Sequence, residues 1–202
     1  KHVIWDWNGT LLDDVHHVVE IMNEILSEHA LPLLDQKKYK SIFGFPVQMY
    51  YEKIGFDFSK TNFENLSHRF VDTYMDRLSN CKIFPHTKKL LKAVKDQNKI
   101  QSILSATDQI SLNYAIHHFE LSEYFDNLFG IENKFAASKL EQGRKLLEKT
   151  QIALTDTVLI GDTDHDLEVG QKLGVDVILL AHGHQNEDRL KAAHHNVKTI
   201  SL

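Results

Sequence analysis

Four side chains in this sequence have types and places that could do chemistry together: Asp6, Ser105, Asp162 and Asp166. Asp6 closes the apolar run His2 to Trp5 and opens Asp6-Trp7-Asn8-Gly9-Thr10, where Asn-Gly signals a turn. Ser105-Ala106-Thr107 follows a run ending at Leu104, and Gly161-Asp162-Thr163-Asp164-His165-Asp166 follows one ending at Ile160. Carboxylates gathered at neighbouring strand ends raise one another's pKa, so such a cluster normally holds a hard cation. Magnesium fits best, because it takes oxygen ligands in an octahedron and keeps positions for waters and a substrate phosphate. Asp6 could give one oxygen to that ion and use the other to attack phosphorus, splitting one difficult displacement into two.

The elements that must position these groups are short β-rich runs alternating with helical stretches. Beyond the first run, strands are predicted at Ile100 to Leu104, Asn127 to Ile131, Thr157 to Ile160 and Asp176 to Leu180. Amphipathic stretches such as Thr87 to Lys95 and Lys139 to Lys149 fall between them, which implies an α/β fold with a parallel sheet and crossover helices. Ligands of such sheets bind beyond the carboxyl ends of the strands, where the four candidates fall. From about Val15 to Phe84 the pattern is helical, with Val18, Ile21, Met22, Ile25 and Leu26 on one stripe. That interval is far longer than one crossover. We therefore expect a core domain of residues 1–14 and 85–202 with an inserted helical domain of residues 15–84, joined near Asp13-Asp14 and near Asn80 to Pro85.

Composition narrows the partners. With 202 residues, 42% hydrophobic and 25% charged, and only 9 Gly and 3 Pro, the chain reads as an ordinary globular protein. A net charge of −5 leaves no basic surplus for the phosphates of nucleic acid. The single Cys81 cannot close an intrachain disulfide, which suits a reducing cytosol, and no apolar stretch reaches bilayer length. The expectation is a cytoplasmic monomer or homodimer acting without nucleic acid or membrane. The histidines, including the pairs His16-His17, His117-His118 and His194-His195, read as surface or loop residues, with His182 and His184 placed to edge the cleft. Trp5 and Trp7 read as packing residues beside the turn.

Asp6-Trp7-Asn8-Gly9-Thr10-Leu11-Leu12-Asp13 resembles the first motif of haloacid-dehalogenase-type hydrolases, D-x-D-G-T-h-x-D. Ser105 resembles their second motif, Lys139 their third, and Gly161-Asp162 with Asp166 their fourth, in the family's order. The resemblance implies a Rossmann-like core with a helical cap, and a magnesium-dependent phosphatase working through an aspartyl-phosphate on a small phosphorylated metabolite. It implies that Asp6 is nucleophile and metal ligand, that the Asn8 carbonyl and Asp162 also bind the metal, and that Asp166 orients the ion from the outer shell. Gly9, Ser105, Ala106 and Lys139 would bind the phosphoryl group, with Lys134 the competing lysine at less usual spacing. Gly44 to Gly55 resembles the cap segment of phosphoglycolate-phosphatase-like members, which implies that Phe45 and Gln48 face the substrate.

The chain departs from that pattern at Asn8, where the family's acid/base aspartate is expected. An amide cannot shuttle protons near neutral pH, and loss of general acid–base help typically costs about 10²–10⁴ in rate. On this reading Asn8→Asp should speed alkyl phosphates, and Asp13 or Asp14 are the first candidates to supply the proton instead. Two alternatives stay open: a C–P hydrolase like phosphonoacetaldehyde hydrolase, whose cap lysine is replaced here by Val47 with Lys53 further along, and a catalytically weak phosphate-binding scaffold. The 2-haloacid dehalogenases need no metal, and the pair Asp162 and Asp166 argues against them.

Overall fold

The computed structural model describes residues 1–132 and 139–193, with the backbone of 199–200. Lys134 and the pair His194-His195 lie outside the described residues. In chain order the elements are β1 (His2–Trp5), β2 (Leu12–Asp13), α1 (Val15–Glu28), α2 (Gln36–Ile42), α3 (Val47–Lys53), α4 (Phe63–Asp76) and β3 (Lys82–Ile83). There follow α5 (Thr87–Asp96), β4 (Ile100–Asp108), α6 (Gln109–His118), β5 (Asn127–Ile131), α7 (Lys139–Thr150) and β6 (Thr157–Gly161). The last are α8 (Asp164–Leu173), β7 (Asp176–Leu180), α9 (Glu187–Ala193) and β8 (Thr199–Ile200). Among the described residues no helix is long and apolar enough to cross a membrane.

The main sheet is parallel, in the order β5-β4-β1-β6-β7-β8. Side chains alternate across a strand, and here the alternation feeds two cores. Ile4 and Leu104 face Leu146 of α7 and Val169 and Leu173 of α8, while Trp5 and Ile103 face the side that holds Leu91 of α5 and Leu112 and Ile116 of α6. Trp5 and Trp7 are both buried in the second of these. Truncating such an aromatic side chain costs about 3–5 kcal/mol.

β4 runs four residues past the predicted end at Leu104, so Ser105 lies within the strand; the pairing with β5 shifts between Leu104 and Asp108, where the irregularity falls. A chain-end signal is weak here because Ser-Ala-Thr-Asp carries no Gly or Pro to stop extension.

Helices α1 to α4 lie between the first and second strands of the main sheet. The stripe Ile21, Met22, Ile25 and Leu26 of α1 is fully buried, and α4 packs along α1. Their apolar residues belong to the same cluster as Trp5 and Trp7, so burial is continuous from the insertion into one face of the sheet. The two chain crossings are tied together, because β2 and β3 pair antiparallel, Leu12 opposite Ile83 and Asp13 opposite Lys82. Asp35 caps α2 through Lys38 N and Asn62 caps α4 through Asn65 N.

Candidate active site

Strand order decides what meets at the carboxyl edge. β1 lies between β4 and β6, with β7 beyond β6, so the segments after these strands converge there. Asp6 leaves β1 with its amide bonded to Ile160 O of β6. The β1–β4 register puts Trp5 beside Ile103, which carries Ser105 up to the level of the Asp6 turn. The chain then folds back on itself, with the amides of Leu11 and Leu12 on Trp7 O. Gly9 sits at φ 73°, and a side chain there would strike the Asp162 carboxylate and the His184 ring.

Asp6, Asp162 and Asp166 are all buried and offer oxygens within 4.8 Å of one another. Lys139, the first residue of α7, is also buried and bridges two of them: its Nζ donates to Asp6 Oδ1 and, at 2.5 Å, to Asp166 Oδ1. Asp166 Oδ2 accepts from Thr163 N at 3.0 Å and Thr163 Oγ1 at 2.7 Å, and Thr163 caps α8 in return. The capping role and the site role of Asp166 therefore coexist, one on each oxygen.

Burial pushes Asp6 upward, with the Lys139 ammonium opposing and Asp166 adding to the rise. Burial also raises Asp162 above its ordinary value, against the His184 charge and with the help of Asp6. Burial works on Asp166 in the same direction, but the Lys139 ammonium and its hydrogen bond turn the net shift downward. Burial opposes the charge of Lys139, and Asp166 and Asp6 more than offset it, so the ammonium is held.

A second cluster adjoins the first. Asp14 Oδ1 accepts from Gly9 N at 3.0 Å and lies 3.1 Å from His184 Nε2; Asp14 Oδ2 accepts from Asn8 Nδ2 at 2.8 Å and Tyr74 OH at 2.7 Å. His184 follows β7, and its amide donates to Asp162 Oδ2 at 2.6 Å while its Nδ1 lies 2.8 Å from Tyr39 OH of α2. Burial opposes protonation of His184, yet the Asp14 carboxylate raises its pKa to about 9, and Asp14 is lowered by the same pair against its own burial.

The donor set fits a divalent cation. Thr10 Oγ1 lies 3.1 Å from Asp6 Oδ2 and 3.0 Å from Asp162 Oδ1, but its single proton serves one of them. Among the described residues, Asp6, Asp14, Asp162 and Asp166 are four buried carboxyl groups beside two buried basic groups, Lys139 and His184, so with all six ionised two negative charges would be left for a cation to balance. Asp6 and Asp162, with Asp166 beside them, are the residues that would hold the ion.

The remaining predicted residues fall as follows. Ser105 is buried and its Oγ accepts from Thr107 N at 3.1 Å, with Ala106 next along β4. The Gly9 amide is spent on Asp14 and on Leu12 O, so Gly9 contributes the turn and the room beside Asp162 rather than a donor for phosphate. Phe45 stacks on His165 with ring centroids 4.5 Å apart, which brings the insertion against the Asp162 to Asp166 segment. Gln48 is exposed in the first turn of α3, as is Lys53 at its end, and Val47 is partly buried in the insertion's core. Asp13 is exposed on β2.

Sequence reading passed over Thr10, Tyr39, Tyr74 and Thr107. Thr10 stood within the quoted motif; the two tyrosines carry no local signal, since only packing of α2 and α4 brings them to the turn. α2 is moreover clasped to the segment after β7. Lys40 Nζ donates to His182 O at 2.9 Å, Asn186 N to Lys40 O at 3.3 Å, and both Gln185 Nε2 and Arg189 donate to Phe43 O. The Lys40 and Phe43 carbonyls belong to the end of α2, where helical partners run out, and the core supplies their donors.

Residues 3–180 match the haloacid dehalogenase-like hydrolases, and the chain belongs to that family. It is 23% identical over 193 residues to a 5'-nucleotidase of Pseudomonas aeruginosa, covering 95% of this chain and 87% of that one. It is 22% identical over 196 residues to a protein of Dickeya dadantii named as a probable phosphatase, covering 95% and 85%. In fold it resembles a haloacid dehalogenase-like family hydrolase of Streptococcus pneumoniae, with a TM-score of 0.85 at 18% identity over 99% of this chain and 92% of that one.

Proposed function

We propose that this hydrolase is a phosphatase that uses magnesium and cleaves a small phosphorylated metabolite, phosphoglycolate-like in size, through an aspartyl-phosphate on Asp6. The observation that carries the reading is the buried Asp6 carboxylate, gripped by Lys139 on one oxygen and set against Asp162 and Thr10 on the other. The names of the relatives from Pseudomonas and Dickeya support phosphate-ester hydrolysis.

In this reading Asp6 attacks phosphorus and the bond from phosphorus to the leaving oxygen breaks, that oxygen taking the electron pair. Water then attacks phosphorus, the bond to Asp6 breaks and its electron pair returns to the carboxylate, with the water's proton going to the released phosphate or to solvent. Lys139 holds its ammonium where negative charge gathers on Asp6 and the phosphoryl oxygens. Ser105 and the Ala106 amide grip those oxygens. An ion held by Asp6 and Asp162 would supply positive charge to offset the negative charge of the site. The insertion over residues 15–84 acts as a cap that excludes water, with Phe45 and Gln48 choosing among substrates. A cytoplasmic location belongs to this reading and rests on the one buried, unpaired Cys81.

Phosphate release with magnesium, from p-nitrophenyl phosphate, acetyl phosphate and phosphoglycolate, tests it. The wild type should turn over the aryl and acyl compounds faster than the alkyl one, because Asn8 offers no proton to an alkoxide. Asp6→Asn should lose about 10⁴-fold or more on all three while still unfolding cooperatively as a folded protein. Equal release from both proteins would sink the assignment of Asp6.

A further inference from the structure

Asn8 has every hydrogen-bonding group of its side chain engaged within the protein. Nδ2 donates to Asp14 Oδ2 and to Tyr74 OH, each at 2.8 Å, and Oδ1 accepts from Thr107 Oγ1 at 2.7 Å. An amide has two donor hydrogens, and both are used. The three partners come from different places: Asp14 from the crossing into the insertion, Tyr74 from α4 within it, and Thr107 from β4 of the sheet. Tyr74 closes the triangle by donating to Asp14 at 2.7 Å, and burial keeps its phenol protonated.

Asp14 shows the same commitment. It occupies the N-cap position of α1, where an aspartate normally accepts from the helix amides, yet it makes no capping bond. Its carboxylate is turned instead toward Gly9 N, Asn8, Tyr74 and His184. Four donors fill the four lone-pair sites of a carboxylate. Neither side chain has capacity left for a leaving group, and Asp13 faces solvent.

We propose that Asn8 is a positioning residue, tying the helical insertion to the nucleophile turn through Asp14, Tyr74 and Thr107. Position 8 is then not an acid/base post left vacant. The amide is the matching half of a pair whose carboxylate stands at Asp14, and a carboxylate at both positions would put two acceptors 2.8 Å apart with no donor between them. This reverses the sequence-based expectation that Asn8→Asp speeds alkyl phosphates. The tie itself stands on geometry; only the kinetic arm of its test rests on the phosphatase reading.

The test compares wild type, Asn8→Asp, Asp14→Asn, the double variant carrying both changes, and Tyr74→Phe. Backbone amide exchange is followed in α1 and α4, and kcat and KM are measured on p-nitrophenyl phosphate and on phosphoglycolate with magnesium. Asn8→Asp should lower kcat by about tenfold or more and speed exchange in α4, since a buried group loses its partner. The double variant, which restores one donor facing one acceptor, should recover protection and kcat relative to either single change. Tyr74→Phe removes the insertion's hydroxyl alone and should raise exchange in α4 and KM more than it lowers kcat. A faster Asn8→Asp enzyme, or a double variant no better protected than the single ones, would overturn the proposal. If the wild type releases no phosphate, the phosphatase reading fails, and the exchange pattern still decides the tie.

Discussion

The buried pair His184 and Asp14 ties solution pH to stability. Folding raises the His184 pKa from 6.5 to about 9. A raised basic group binds more protons folded than unfolded, so its contribution is full below pH 6.5 and is lost as pH climbs through about 9. In urea unfolding with chelator present, the wild type should lose on the order of 3 kcal/mol across that window. His184→Gln should show a flatter profile there, at lower overall stability, because Asp14 is left buried without its cation. Parallel profiles for the two proteins would mean that the histidine is not charged in the folded state. Asp14, held below its ordinary value, acts on the other side: its contribution is present above pH 3.8 and fades on acidification. At this same scale, Asp6, Asp162 and Asp166 were legible from their strand-end positions, whereas Tyr74 carries no local signal and reaches the turn only through the packing of α4.

At the scale of elements, α2 carries one polar contact between insertion and core, because its carboxyl-terminal carbonyls are met by Gln185, Asn186 and Arg189. Arg189 is itself anchored on Asp164 at 2.8 Å, and Gln185 spans Asp164 and Phe43. Gly44 matters here, since a side chain on it would meet the Arg189 guanidinium. Arg189→Met should free the Phe43 end of α2, seen as faster amide exchange in α2 with α1 unchanged, at a cost of about 1–3 kcal/mol for the broken charged bonds. Phe45→Ala, which removes the ring stacked on His165, should shift relative kcat/KM among phosphates more than it shifts melting temperature. Equal losses on every substrate would count against a choosing role for Phe45. The helices themselves were readable from their apolar stripes; their clasp was not, since Gln185 and Arg189 have the composition of an ordinary polar loop and helix start.

For the whole molecule, the buried carboxyl groups of Asp6, Asp162 and Asp166, close enough to share one cation, predict coupling between ion binding and stability. Magnesium at about a hundredfold excess over its Kd should stabilise by about 2.7 kcal/mol, a rise of about 5–10 °C in Tm for a chain of this length. Asp162→Ala should abolish that response. Identical melting of the wild type in chelator and in millimolar magnesium would show that the cluster holds no such ion.

The amino-acid sequence by itself determined the alternation of strands and helices, the helical stretch between the first two strands of the main sheet, and the strand-end carboxylates, because hydrophobic period and turn residues are local properties. It also carried the family motifs, since each is a short local pattern and they come in chain order. What only the tertiary structure decided is how distant side chains are spent. Asn8 looks like a lost catalytic aspartate in one dimension, and Asp14 like a helix cap. In three dimensions Tyr74, Thr107 and His184, brought from three other segments, claim both side chains, and a hydrogen-bonding group already satisfied is not free for chemistry. Pairing between groups this far apart in sequence is set by how the sheet orders its strands and how α4 packs on α1, and no local pattern encodes it.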